Sequence, residues 1–93
     1  MDIVHVEGKK KGEIMLYALS TCGWCKKTKK LLDDLKVEYS FVDVDTLEGD
    51  EETEVLRNLG KWNKSGSFPT IVINDKDCII GFKEDEIREA LNL

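Results

Sequence analysis

The sequence predicts one α/β domain in which strands and helices follow one another in the order β-α-β-α-β-β-α. Three observations predict it. An apolar run of strand length at residues 13–19 leads at once into a helical stripe. A second strand-like run at 38–44 leads into another, and the β-branched run Ile71, Val72, Ile73 precedes a turn, a short strand and a last helical face.

In chain order, residues 13–19 (EIMLYAL) suit a strand buried on both faces. Ser20 and Thr21 are helix-capping residue types, and beyond them Cys25, Thr28, Leu32 and Leu35 share one helical stripe with Leu31 beside it. Cys22 thus falls at a helix N-terminus. Residues 38–44 (EYSFVDV) carry Tyr39, Phe41 and Val42 in a second strand, after which Asp45 and Thr46 supply turn and capping chemistry. The acidic stretch 48–54 opens a helix marked by Val55, Leu56, Leu59 and Trp62, since negative charge in a first turn suits the helix dipole. That helix should end within 60–64. Ser65, Gly66 and Ser67 connect it to Phe68-Pro69-Thr70, which opens the third strand; 74–77 is a turn, and Cys78, Ile79 and Ile80 form a last short strand. Ile87, Ala90 and Leu91 share the face of the final helix. Ahead of this core, alternating Ile3, Val4, His5 and Val6 and the turn from Gly8 to Gly12 could add a strand at the sheet edge.

Ninety-three residues allow one core and one site. With 41% hydrophobic and 35% charged residues the composition is globular, and a net charge of -5 repels phosphate backbones, which sets nucleic-acid binding aside. Residues 1–12 do not read as a secretory signal, and no apolar run approaches a membrane span. Three cysteines cannot pair completely. Two of them form Cys22-Gly23-Trp24-Cys25, which points to redox or metal chemistry in a reducing, cytoplasmic setting.

A thiolate, not a thiol, attacks a disulfide, and Cys-x-x-Cys cysteines at helix starts reach pKa values of roughly 3.5 to 7.5. Cys22 is the expected nucleophile. Cys25, nearly one turn behind it, is the resolving thiol, and Lys26, Lys27, Lys29 and Lys30 surround the pair with positive charge, although such lysines are most often a solvated helix face. Gly23 leaves the backbone approachable and Trp24 offers a flat apolar surface to a partner. The alternative for such a motif is half of a zinc site, which needs about four ligands. The remaining donors are Cys78, without a paired cysteine, and His5, without a sequence neighbour that would make it a base or ligand. No metal site is therefore expected. Cys78 reads as a small buried hydrophobe, and Trp62 as a residue at the core edge.

With Tyr17-Ala-Leu-Ser-Thr-Cys22-Gly-Trp-Cys25, Phe68-Pro69-Thr70 and Gly81-Phe82 in place, residues 13–93 resemble the glutaredoxins, including the NrdH-type redoxins that supply electrons to ribonucleotide reductase. The resemblance implies a thioredoxin-like fold, a four-stranded mixed sheet flanked by three helices within a single domain spanning 1–93. It implies a dithiol oxidoreductase, normally monomeric, that acts on disulfide-containing proteins or small thiol compounds. It further implies a cis Phe68-Pro69 bond facing Cys22, a Phe68 backbone free to pair with substrate, and substrate contacts at Gly23, Trp24, Thr70, Gly81 and Phe82. No tightly bound cofactor is implied; glutathione or another small thiol is a co-substrate. The family usually holds a glutathione carboxylate with a lysine three residues before the first cysteine, and Leu19 stands there. Phe82 replaces the second glycine of the family's Gly-Gly pair, as in NrdH-type redoxins, and Lys83 follows. A flavoprotein disulfide reductase thereby becomes a competing electron donor. Gly23 after the first cysteine keeps a second role open, since some relatives with that glycine bind an iron-sulfur cluster between two chains.

Overall fold

The computed structural model describes residues 3–92. Its strands are β1 (Val4–Val6), β2 (Ile14–Ala18), β3 (Tyr39–Asp43), β4 (Thr70–Ile73) and β5 (Asp77–Ile80). Its helices are α1 (Gly23–Asp34), α2 (Gly49–Trp62) and α3 (Glu84–Ala90), with a 3-10 turn at Val44–Thr46. The strands form one mixed sheet in the spatial order β1-β3-β2-β4-β5. Only β2 and β3 run parallel, as their connection through α1 requires, and the other neighbours are antiparallel.

The pleat of the central strand creates two cores. Successive side chains of a strand point to opposite faces, so β2 sends Ile14, Leu16 and Ala18 to one side and Met15 and Tyr17 to the other. On the first side they meet Leu31 and Leu32 of α1 and Ile87 of α3; on the second, Val55 and Leu59 of α2. β4 repeats the division, with Ile71 and Ile73 in one core and Val72 in the other. The sheet is thereby covered on both faces. No helix among the described residues is long and apolar enough to cross a membrane.

The alternation at Ile3 to Val6 does become a strand: β1 adds a fifth member at the edge, with His5 opposite Ser40 and Val6 opposite Tyr39. The expected turn is present at 74–76, with Asp77 already in β5. Asn74 and Asp75 adopt φ of 56° and 50°, and Asn74 locks the start of β2 by accepting the Glu13 N–H on its side-chain oxygen at 2.9 Å and donating its own N–H to the Glu13 carbonyl at 2.7 Å.

Two expected core positions are corrected. Leu56 is 44% exposed, because a residue directly after buried Val55 is rotated about 100° around the helix and away from the sheet. Ala90 is exposed as well, while Ile87 and Leu91, four residues apart on one face, are buried. Leu16→Ala should therefore cost about 2–5 kcal/mol of unfolding free energy, whereas Leu56→Ala should stay within about 0.5 kcal/mol of the parent. Urea denaturation of the two variants measures the contrast.

Candidate active site

Cys22 is the N-cap of α1, in an extended conformation (φ -85°, ψ 118°) that turns its side chain back over the first turn. Its Sγ accepts the Cys25 N–H at 3.1 Å. The sulfur thus does for the helix what a serine or aspartate oxygen does elsewhere: it satisfies an amide that the first turn leaves unpaired. Capping does not come from Ser20 or Thr21, as their residue types suggest. Ser20 instead donates its N–H to the Asp45 carboxylate at 2.8 Å and its hydroxyl to the other carboxylate oxygen. These bonds hold the Asp45 carboxyl below the usual carboxylate range. Asp45 is accordingly not a cap of the following helix; α2 starts after Glu48 with no side-chain cap bond. It ties the segment after β3 to the loop that delivers Cys22.

Cys25 lies beneath, fully buried among the residues that join α1 to the sheet, and both thiols are free. Burial, and then the hydrogen bond to Cys22 and the charge of that sulfur, push the Cys25 thiol up to about 12, opposed by the Leu19 backbone and the Lys29 charge. Lys29, one turn further along α1, is itself held by Asp43 at 2.9 Å and sits over the Phe41 ring. Of the other lysines after Cys25, Lys30 pairs with Asp34, and the Lys27 Nζ lies 4.5 Å from the centre of the Trp24 ring.

Beside the thiols runs an apolar groove of about 220 Å³ lined by Trp24, Phe68, Pro69, Gly81 and Phe82. The Phe68-Pro69 bond is cis, and the Pro69 carbonyl accepts the Gly81 N–H at 2.8 Å, which clamps the two loops of the groove together. Gly81 has φ of 90°, a conformation that side chains rarely adopt. Trp24, 58% exposed, stacks on Phe82 with ring centres 5.9 Å apart. Gly23 is exposed and faces open space. Thr70 stands apart: it is buried, its hydroxyl donates to the Ser67 carbonyl at 2.8 Å and accepts from Asn63, so its side chain braces the loop from beneath. A larger cavity of about 450 Å³, lined by residues including Ile3, Ile14 and Asp75, lies at the far end of β2 and contains no cysteine.

A model of the glutaredoxin family matches residues 14–78. The chain belongs to the glutaredoxin family. A glutaredoxin-like 8.6 kDa protein of a Clostridium pasteurianum rubredoxin operon is 39% identical over 78 residues, covering 84% of this chain and 96% of that one. The solved glutaredoxin of Methanosarcina mazei Go1 is 54% identical with a TM-score of 0.91, covering 98% of this chain and 88% of that one. Methanoredoxin of Methanosarcina acetivorans is 51% identical with a TM-score of 0.90, covering 92% and 90%. NrdH-redoxin of Escherichia coli, 23% identical over 83% of this chain and 92% of that one, shares the thioredoxin-like fold at a TM-score of 0.63.

In this glutaredoxin the position of the family's glutathione-holding lysine, Leu19, is half-buried against the core on the α2 side. Cys78 is outside the groove; its S–H donates to the Trp62 carbonyl at 3.7 Å, and burial pushes its thiol up. Sequence reasoning missed the Ser20–Asp45 and Lys29–Asp43 links, which join residues 25 and 14 positions apart. No local pattern marks such pairs; the parallel register of β2 and β3, with Ala18 opposite Asp43, creates them.

Because the Cys25 proton is held in the fold more firmly than the ordinary 9.0 of a free thiol, its share of stability is intact below pH 9 and is lost as pH climbs toward about 12. Comparing unfolding of the reduced protein with that of Cys25→Ser from pH 8 upward should isolate this loss. At pH 7, iodoacetamide followed by mass spectrometry should modify Cys22 and leave Cys25 free.

Proposed function

We propose that this protein reduces disulfides by dithiol exchange, with Cys22 as nucleophile and Cys25 as resolver. The observation that carries the reading is the Cys25 N–H aimed at the Cys22 sulfur above a buried second thiol, with Trp24, which lies between the two cysteines in sequence, lining an apolar groove. The Cys22 thiolate attacks one sulfur of the substrate disulfide, forming a mixed disulfide and releasing the first substrate thiolate, which takes up a proton. Cys25 then loses its proton and attacks the Cys22 sulfur. A Cys22–Cys25 disulfide forms, the second substrate thiolate leaves, and two electrons have passed to the substrate.

Cys25 holds its proton while Cys22 is free, in keeping with Cys22 acting first. Two of its three restraints, the hydrogen bond and the charge, come from the Cys22 sulfur. Once that sulfur is tied up in a mixed disulfide its charge is gone, which removes one restraint on the Cys25 proton while burial, the largest, remains.

Substrate recognition in this reading uses backbone and apolar contact. Among the described residues no hydrogen bond within the chain engages the Phe68 backbone, so it is available to an extended segment carrying the disulfide. Trp24, Phe68 and Phe82 supply the groove walls. Leu19 turned to the core and Phe82 stacked on Trp24 offer no cationic clamp for a peptide carboxylate. The substrates proposed are therefore protein disulfides and disulfides of small thiol compounds, and the oxidised protein is restored either by a small thiol such as glutathione or by a flavoprotein disulfide reductase.

Cys22→Ser should abolish reduction of insulin disulfides, and Cys25→Ser should leave the first step intact and accumulate the mixed disulfide, visible by mass spectrometry. Full activity in Cys22→Ser would end the proposal. Supplying the oxidised protein with glutathione and its reductase, or with a thioredoxin reductase, and counting recovered thiols identifies the donor.

A further inference from the structure

The sheet edge gathers a second set of chemically able side chains that the thiol site does not use. β1 pairs antiparallel with β3, placing His5 opposite Ser40 and Val6 opposite Tyr39. Residues two apart on a strand share a face, so His5 and Glu7 meet Ser40 and Glu38. One ligand atom each from His5, Glu7 and Glu38 lies within 4.8 Å of the others. His5 Nε2 is 3.6 Å from Glu7 Oε1 and 3.8 Å from Glu38 Oε2.

Those separations are too long for good hydrogen bonds. They come close to the edges of a tetrahedral coordination shell: with metal–ligand bonds of about 2.0–2.2 Å, neighbouring donors stand about 3.3–3.6 Å apart. Glu7 and Glu38 follow and precede a paired position in register, so the two carboxylates share the face that carries His5. On its other side the imidazole is already oriented, with Nδ1 3.1 Å from Ser40 Oγ. An Nδ1–H donated to that hydroxyl leaves the Nε2 lone pair directed at the two carboxylates, and metal-bound histidines ordinarily have such an outer partner.

We infer that His5, Glu7 and Glu38 bind a divalent transition-metal ion, zinc by the chemistry of one nitrogen and two carboxylate donors, with water completing the shell. Two of the three ligands precede residue 14, where the match to the glutaredoxin family begins, so the site belongs to the added strand. Bound metal ties β1 to the segment entering β3 and stabilises the folded chain according to its saturation. The inference is independent of the thiol chemistry.

His5 is the chain's single histidine, which gives an unambiguous readout. The test titrates zinc chloride into the full chain with Cys22 and Cys25 oxidised to a disulfide, so that the paired thiols do not compete, and follows the imidazole NMR signals and the thermal midpoint. The expected result is a saturable one-to-one shift of the His5 signals with a raised midpoint. Glu7→Gln and Glu38→Gln should each weaken binding about tenfold or more, and Ser40→Ala about tenfold. Unchanged amide signals around Cys22 and Cys25 certify that each variant is folded. His5 signals that stay still under excess zinc overturn the inference, and so does unchanged affinity in the Glu7→Gln/Glu38→Gln double variant, which would reduce the event to a lone histidine.

Discussion

One hydrogen bond, from the Cys25 amide to the Cys22 sulfur, organises the reactive end of this molecule. It exists because α1 begins where it does. The apolar stripe of that helix, led by Leu31 and Leu32, docks on the β2 face formed by Ile14, Leu16 and Ala18, and this fixes the helix relative to the end of the central strand. The chain then has only a few residues in which to leave β2 and enter α1. Within that short span the Cys25 amide, which the first turn leaves without a helical partner, finds the Cys22 sulfur. Ser20 is immobilised from the other side by Asp45, so the approach to Cys22 is defined by two strands at once.

The same docking treats the two cysteines in opposite ways. Position 22 lies outside the helix, half-buried and reachable, whereas position 25 faces inward with no exposed surface. Three residues of helix are enough to place one thiol against solvent and the other within the core. Burial keeps the inner thiol protonated, and the Leu19 backbone and then the Lys29 charge limit how far that goes. A stronger cationic surrounding would ionise the inner sulfur permanently; a wholly apolar one would make its release still harder. Access to the outer sulfur and burial of the inner one are two consequences of one helix orientation.

The groove is an assembly of three segments that are remote in sequence: the start of α1, the loop before β4 and the turn after β5. The Gly81 N–H to Pro69 carbonyl bond joins the last two, and the Trp24–Phe82 stack joins the first to the last. In this glutaredoxin Leu19 packs inward and Phe82 fills space beside Trp24. The extra strand β1 extends the sheet beyond the region matched by the family and brings its own polar cluster, remote in sequence from the redox motif.

Much of this was legible in the sequence because the signals are local. Seven core elements, the helix-start position of Cys22, the turn at Asn74 and the edge strand all follow from spacing, capping types and β-branched runs within short windows. The groove residues came from motifs whose combination is distinctive, although Thr70 proved to brace the loop with its side chain buried. What the sequence could not supply were relations across the sheet. Asp45 reads as a helix cap until the parallel pairing of β2 with β3 carries it to Ser20, and His5 reads as solitary until antiparallel register sets it beside Glu38 and Ser40. Leu56 shows the same limit from the other direction, since helical spacing names a stripe but not which side of it meets the sheet. Periodicity is a property of neighbouring residues; register and docking are decided only when distant segments share one core.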